Sequence, residues 1–93
     1  MAAEIIVKLE NETRFEITVR EDGSETRHMV TVEPAYARRL AGGKSPVEEL
    51  VRRSFEFLLE HEPKESILRQ FNLRDISRYF PEYEGEIRAR MAS

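Results

Sequence analysis

Arg14-Phe15-Glu16-Ile17-Thr18-Val19-Arg20-Glu21-Asp22-Gly23-Ser24-Glu25-Thr26-Arg27-His28-Met29-Val30-Thr31-Val32-Glu33 carries the alternation and the turn from which the architecture follows. Phe15, Ile17 and Val19 alternate with Glu16, Thr18 and Arg20, a period of two that marks a strand with one face on a core and the other toward water. Asp22-Gly23 supplies residues that tolerate the positive φ angles of a tight hairpin turn. The chain then returns through 26–33 with His28, Val30 and Val32 on one side. A slip of one residue would turn every side chain to the wrong face, so the register is testable. A two-residue loop at Asp22-Gly23 pairs Ile17 with His28 and Phe15 with Val30, whereas a four-residue loop over 22–25 pairs Ile17 with Val30 and Phe15 with Val32. Loops of odd length set Ile17 against Arg27, Met29 or Thr31 and are disfavoured. Both surviving registers turn His28 inward.

Upstream, Ile5, Val7 and Leu9 alternate with Ile6 and Lys8 over 4–9, a first strand with one defined apolar face. With 14–20 and 26–33 this makes a three-stranded antiparallel meander. Downstream, Pro34 closes the third strand, 35–41 suits two helical turns, and Gly42-Gly43 ends them. Ser45 as N-cap, Pro46 at the first helical position and Glu48 as capping-box partner open the main amphipathic helix, 46–61. Its apolar residues Val47, Leu50, Val51, Phe55, Phe57, Leu58 and Leu59 cover a wide arc, which calls for two packing partners, the sheet and the C-terminal helices. Glu48 with Arg52 and Glu49 with Arg53 stand at favourable i,i+4 spacing. After Pro63, the spacing of Ile67, Leu68 and Phe71 predicts a helix over 64–71. Asn72 and Asp75 are placed to cap a short helix over 73–79, and Tyr83, Ile87 and Met91 mark a last one over 83–91. Strands first and helices after define an α+β fold, a single domain over 1–93.

At 93 residues the chain has room for one modest core. No apolar run approaches the roughly 18 residues that span a bilayer, and Met1-Ala2-Ala3-Glu4 lacks the basic and apolar regions of a signal peptide, so a cytoplasmic location is expected. With no cysteine, disulfide frameworks, thiolate nucleophiles, iron–sulfur clusters and cysteine-based zinc sites are excluded. The net charge is −3 with both signs interspersed, so no basic block offers a footprint for nucleic acid.

The motifs that carry chemistry each have a plainer reading. Gly42-Gly43-Lys44-Ser45 resembles the end of a phosphate-binding loop, yet Arg38 stands where the first glycine belongs and a helix, not a strand, precedes it. Ile67 to Tyr79 has the look of a helix-turn-helix reader with Arg69, Arg74 and Arg78 as phosphate contacts, but the step from Phe71 to Ile76 is one residue short and Glu82, Glu84 and Glu86 lie nearby. Two histidines are too few for a histidine metal cluster, and His61 lacks a second histidine four residues on; as a helix-end residue it suits the macrodipole. His28, turned inward, is the one candidate for a perturbed proton-transfer group. Glu48-Glu49 point about 100° apart on a helix and do not converge as an acid–base pair. Tyr79-Phe80-Pro81-Glu82-Tyr83 gathers Tyr79, Phe80 and Tyr83 around a proline, the candidate partner-binding surface.

Ser45-Pro46, then Ser54 through Glu60, Pro63 through Leu68 and Tyr79 through Tyr83 resemble a family of small prokaryotic α+β proteins with no assigned function, a likeness confined to residues 45–83. It implies no activity, cofactor or catalytic residue. The sequence therefore points to a non-enzymatic interaction or regulatory module acting through protein–protein contacts, with self-association through a sheet edge or the C-terminal helices. No metal or cofactor is assigned. Two alternatives stand beside it: a small DNA-binding regulator using 67–79, and a ligand-binding protein or enzyme built around His28.

Overall fold

A computed structural model describes residues 3–43 and 45–92. Three antiparallel strands lead the chain: β1 (Glu4–Asn11), β2 (Arg14–Glu21) and β3 (Ser24–Thr31). Asp22 at φ 55° and Gly23 at φ 76° form the two-residue turn, and the register is the shorter of the two expected, Ile17 opposite His28 and Phe15 opposite Val30. Phe15, Ile17 and Val19 are buried at 4%, 0% and 0% exposure, so this face carries the core.

Helix α1 (Pro34–Ala41) ends at Gly42, whose φ of 70° lets its amide reach back to Arg38 O. Helix α2 (Val47–His61) roofs the sheet. It packs on β1 along one flank and on the terminal helix α4 (Tyr83–Ala92) along the other, the two partners that its wide apolar arc requires. Leu50, Val51, Phe55, Phe57 and Leu58 from α2 meet Tyr83 and Ile87 from α4 in one core. At the centre, Ser54 Oγ donates to Leu50 O at 2.8 Å and lies 2.6 Å from the hydroxyl of Tyr83.

The start of α2 differs from expectation. Pro46 is the cap residue, extended at ψ 149°, and no side-chain cap forms, so Ser45 and Glu48 do not make the capping box. A residue before proline is pushed away from helical geometry, and here the proline itself stays extended, which delays the first turn by one residue. Glu48 and Glu49 still lie in that turn, where carboxylates favour the helix N-terminus. Of the two expected ion pairs, Glu49 meets Arg53 at 3.0 Å, while Arg52 turns to Glu49 at 3.6 Å rather than to Glu48. Lys44 of the phosphate-loop-like stretch lies outside the described residues.

The largest correction concerns 64–71, which is not a helix. A single 3-10 turn (Lys64–Ser66) gives way to extended chain at Ile67, and Gln70–Asn72 forms a fourth strand, β4, parallel to β3. The reason is non-local. The outer edge of β3 carries amides and carbonyls that need partners, and Met29 N finds Arg69 O at 2.7 Å. Extended chain also lets Phe71 lean on Phe55, 6.0 Å between ring centroids. Leu68 is thereby 52% exposed instead of sharing a core face with Ile67 and Phe71. Beyond β4 the expected cap is present, Asn72 and Asp75 bonding reciprocally at the head of a 3-10 turn (Leu73–Asp75) that continues into the short α3 (Ile76–Tyr79). Among the described residues no helix is long and apolar enough to cross a membrane.

Candidate functional site

The departures from regular structure between α2 and α4 create a cleft. Leu58 and Glu62 from the end of α2, Ser66 to Leu68 from the extended stretch, Phe71 from β4, and Asp75, Ile76, Tyr79 and Phe80 around α3 enclose about 300 Å3. Its floor is apolar because Ile67 and Ile76 are core residues whose outer atoms show at the base, with Phe71 and Phe80 half-buried beside them. Its rim is unusual: Leu68 at 52% and Tyr79 at 68% exposure are two of the four large apolar side chains left open to solvent among the described residues.

Two carboxylates reach the cleft and differ in kind. Asp75 is committed, accepting from the amide of Asn72 at 3.3 Å and standing 3.9 Å from Arg78. Glu62, at the cap position just past the last turn of α2, makes no side-chain hydrogen bond or ion pair among the described residues. A groove so built offers van der Waals cover to one or two large apolar groups and one unspent negative charge to a neighbouring cation. Nothing in it pairs a nucleophile with a base. Among the described residues, no three His, Cys, Asp or Glu side chains gather as a metal cage.

The three aromatics expected to form a contact surface are divided by the fold. Tyr79 stands on the rim and Phe80 forms part of the floor. Tyr83 is fully buried, its hydroxyl on Ser54, so it belongs to the core and not to a surface. Its burial holds the phenol pKa well above the ordinary range. Phe80 lies against His61, 4.9 Å between ring centroids, and His61 lies against Phe57 at 4.5 Å with the rings tilted by 53°. His61 thus sits in a cluster of three rings, Phe57 and Phe80 also meeting edge-on at 5.7 Å, a role additional to its helix-end position.

His28 is 2% exposed and fully occupied. Its Nδ1 lies 2.8 Å from Leu68 O and its Nε2 2.8 Å from Thr26 Oγ1, with the Phe55 ring 5.4 Å away. A carbonyl only accepts, so the ring proton resides on Nδ1 and Nε2 accepts from the threonine. Burial, helped by the charge of Arg69 and opposed by the bond to Leu68, lowers its pKa. It does not line the cleft. It does, however, hold Leu68 in place as the cleft's wall, which makes it a positioning residue.

The arginines do not form a single electropositive face. Arg74 and Arg78 border a broader depression with Arg39, but Arg74 is bound to Glu33 at 3.0 Å, Arg39 to Glu84 at 3.3 Å and Arg78 approaches Asp75. Arg69 lies before β4 and lines neither hollow. The helix pair that was to present these residues is absent, since its first member is extended chain.

Leu68 and Glu62 escaped the sequence reading. A helix over 64–71 places Leu68 in the core, and nothing in the local sequence marks Glu62. Comparison with protein-family models, with curated proteins and with solved structures gives no match.

Proposed function

We propose that this domain is a non-enzymatic interaction module that receives a segment of a protein partner in the cleft between α2 and α3. The observation that carries this reading is the rim: Leu68 and Tyr79 stay exposed beside an apolar floor, an arrangement that leaves a standing hydrophobic penalty unless something covers it. The volume of about 300 Å3 matches an anchor side chain more than an extended surface. The occupant has an aromatic or branched aliphatic anchor with a lysine or arginine one or two positions away to meet Glu62, and the cytoplasm suits such a partner.

Selection from a random peptide display library against the intact domain tests this. Enriched peptides share an apolar anchor next to a cation, and Leu68→Ser or Tyr79→Ser weakens them at least about tenfold, the loss of one well-placed anchor contact. Glu62→Gln weakens them less and removes their salt dependence. No enrichment, or enriched peptides indifferent to Leu68→Ser and Tyr79→Ser, overturns the proposal.

A further inference from the structure

β1 is an edge strand, first in the order β1-β2-β3-β4, and the direction of its backbone groups follows from the register. Val32 N donates to Thr13 O at 2.7 Å, and positions 13 and 32 continue the alignment that pairs Phe15 with Val30. Bonded and unbonded positions alternate along an antiparallel pair. Odd-numbered residues of β2 therefore bond to β3, and Glu16, Thr18 and Arg20 bond to β1. Their partners there are Lys8, Ile6 and Glu4. Ile5, Val7 and Leu9 consequently aim their amides and carbonyls away from the sheet, and no backbone bond outside the ladders reaches them among the described residues.

We propose that a second copy of this chain adds its own β1 antiparallel to this edge, with the two-fold axis at Ile6. An open edge is a template for strand addition, and charge selects the occupant and the register. Glu4, Ile6 and Lys8 share the outer face of β1, since they oppose Arg20, Thr18 and Glu16. An axis at Ile6 sets Ile6 against Ile6 and each Glu4 against the Lys8 of the second copy. An axis at Val7 would oppose Glu4 to Glu10, and one at Lys8 would oppose two lysines. An axis at Ile5 leaves only 4–6 within both strands.

The backbone parity fits the same choice. With the axis at Ile6 the even positions are the non-bonded pairs, about 4.5 Å between Cα atoms, close enough for Glu4 and Lys8 to meet. Within β1, Ile5 and Val7 then exchange about four backbone hydrogen bonds with Val7 and Ile5 of the second copy. Two exposed apolar side chains gain cover: Ile6, 37% exposed, and Leu9, 54% exposed, which comes opposite Ala3 of the second copy. The two α2 helices lie on the same side of one continuous sheet. The contact is a ribbon and not a broad face, so association is weak and self-limiting, with Kd on the order of 10 µM to 1 mM.

Sedimentation equilibrium from about 5 µM to 2 mM, with hydrogen exchange at the amides of Ile5 and Val7, tests this. Wild type dimerises and those amides slow as concentration rises. Glu4→Lys and Lys8→Glu each weaken the dimer at least about tenfold by opposing like charges, and the double variant Glu4→Lys/Lys8→Glu regains it. Within one chain Glu4 stands 3.8 Å from Arg20 and Lys8 opposes Glu16, so the double variant is the worst placed intramolecularly; a mere folding defect is greatest where the dimer is restored. Ile6→Lys, on the exposed outer face, keeps the fold and abolishes the dimer by setting two lysines at the axis. Monomer at every wild-type concentration overturns the proposal. So does a dimer that survives Ile6→Lys, or a folded double variant that stays monomeric. Leu68→Ser and Tyr79→Ser, remote from β1, leave this association unchanged, so failure of the cleft and failure of the edge read out separately.

Discussion

Acidification below about pH 6.5 will weaken this fold through His28. The ring is 2% exposed with both nitrogens bonded, and burial is the main cause that lowers its pKa from the ordinary 6.5. The unfolded chain takes up a proton on His28 near pH 6.5, while the folded chain takes it up only at lower pH. Between those two values the unfolded state binds more protons. The stability that the neutral ring contributes is therefore complete above pH 6.5 and is lost as the pH falls toward the folded pKa, below which nothing further is lost from this group. Inside the window the slope approaches about 1.4 kcal/mol per pH unit. One kcal/mol corresponds to roughly 4–8 °C in Tm for a domain of this size. Urea unfolding of wild type and His28→Gln from about pH 7.5 to pH 5 isolates the effect, because the two chains differ only at this ring. The wild-type advantage is constant above pH 7 and narrows as the pH drops through 6.5. An advantage that holds constant or widens over that interval refutes the assignment of a buried, neutral His28.

Two further predictions rest on the core and the turn. Ser54 uses its proton on Leu50 O, so Tyr83 donates to Ser54; Ser54→Ala strands a buried hydroxyl and destabilises by about 2 kcal/mol, Tyr83→Phe by about 1 kcal/mol, and the double variant by no more than Ser54→Ala, all read from urea midpoints. Gly23 holds φ 76° with open space where a Cβ would stand, so Gly23→Ala loses about 1–2 kcal/mol through backbone strain alone, visible as a lower Tm with an unchanged circular dichroism spectrum.

The strand half was legible because its information is local. Asp22-Gly23 admits few turn geometries, and Phe15, Ile17 and Val19 admit one inward face, so two registers remained and the tighter one formed. The reciprocal cap of Asn72 and Asp75 was legible for the same reason, each partner lying within three residues of the other. The stretch 64–71 was not, since Ile67, Leu68 and Phe71 satisfy a helical spacing and a short extended run alike. What decides between them lies about 40 residues upstream, in the unpaired outer edge of β3 and in a ring nitrogen of His28 that needs an acceptor.

That long-range decision also determines where contact surfaces remain. Once β4 occupies the edge of β3, the sheet keeps one long open edge, and β1 with its outward Ile5, Val7 and Leu9 backbone is that edge. The same crossing pulls Leu68 out of the core and opens the floor between Ile67 and Ile76, because extended chain advances about 3.3 Å per residue where a helix would advance 1.5 Å and fill the gap. A helix over 64–71 would have sealed the cleft and left both edges of the sheet free. The single exchange of helix for strand therefore places the two proposed contacts at opposite margins of the sheet, where a segment in the cleft and a second copy on β1 would not compete for the same surface.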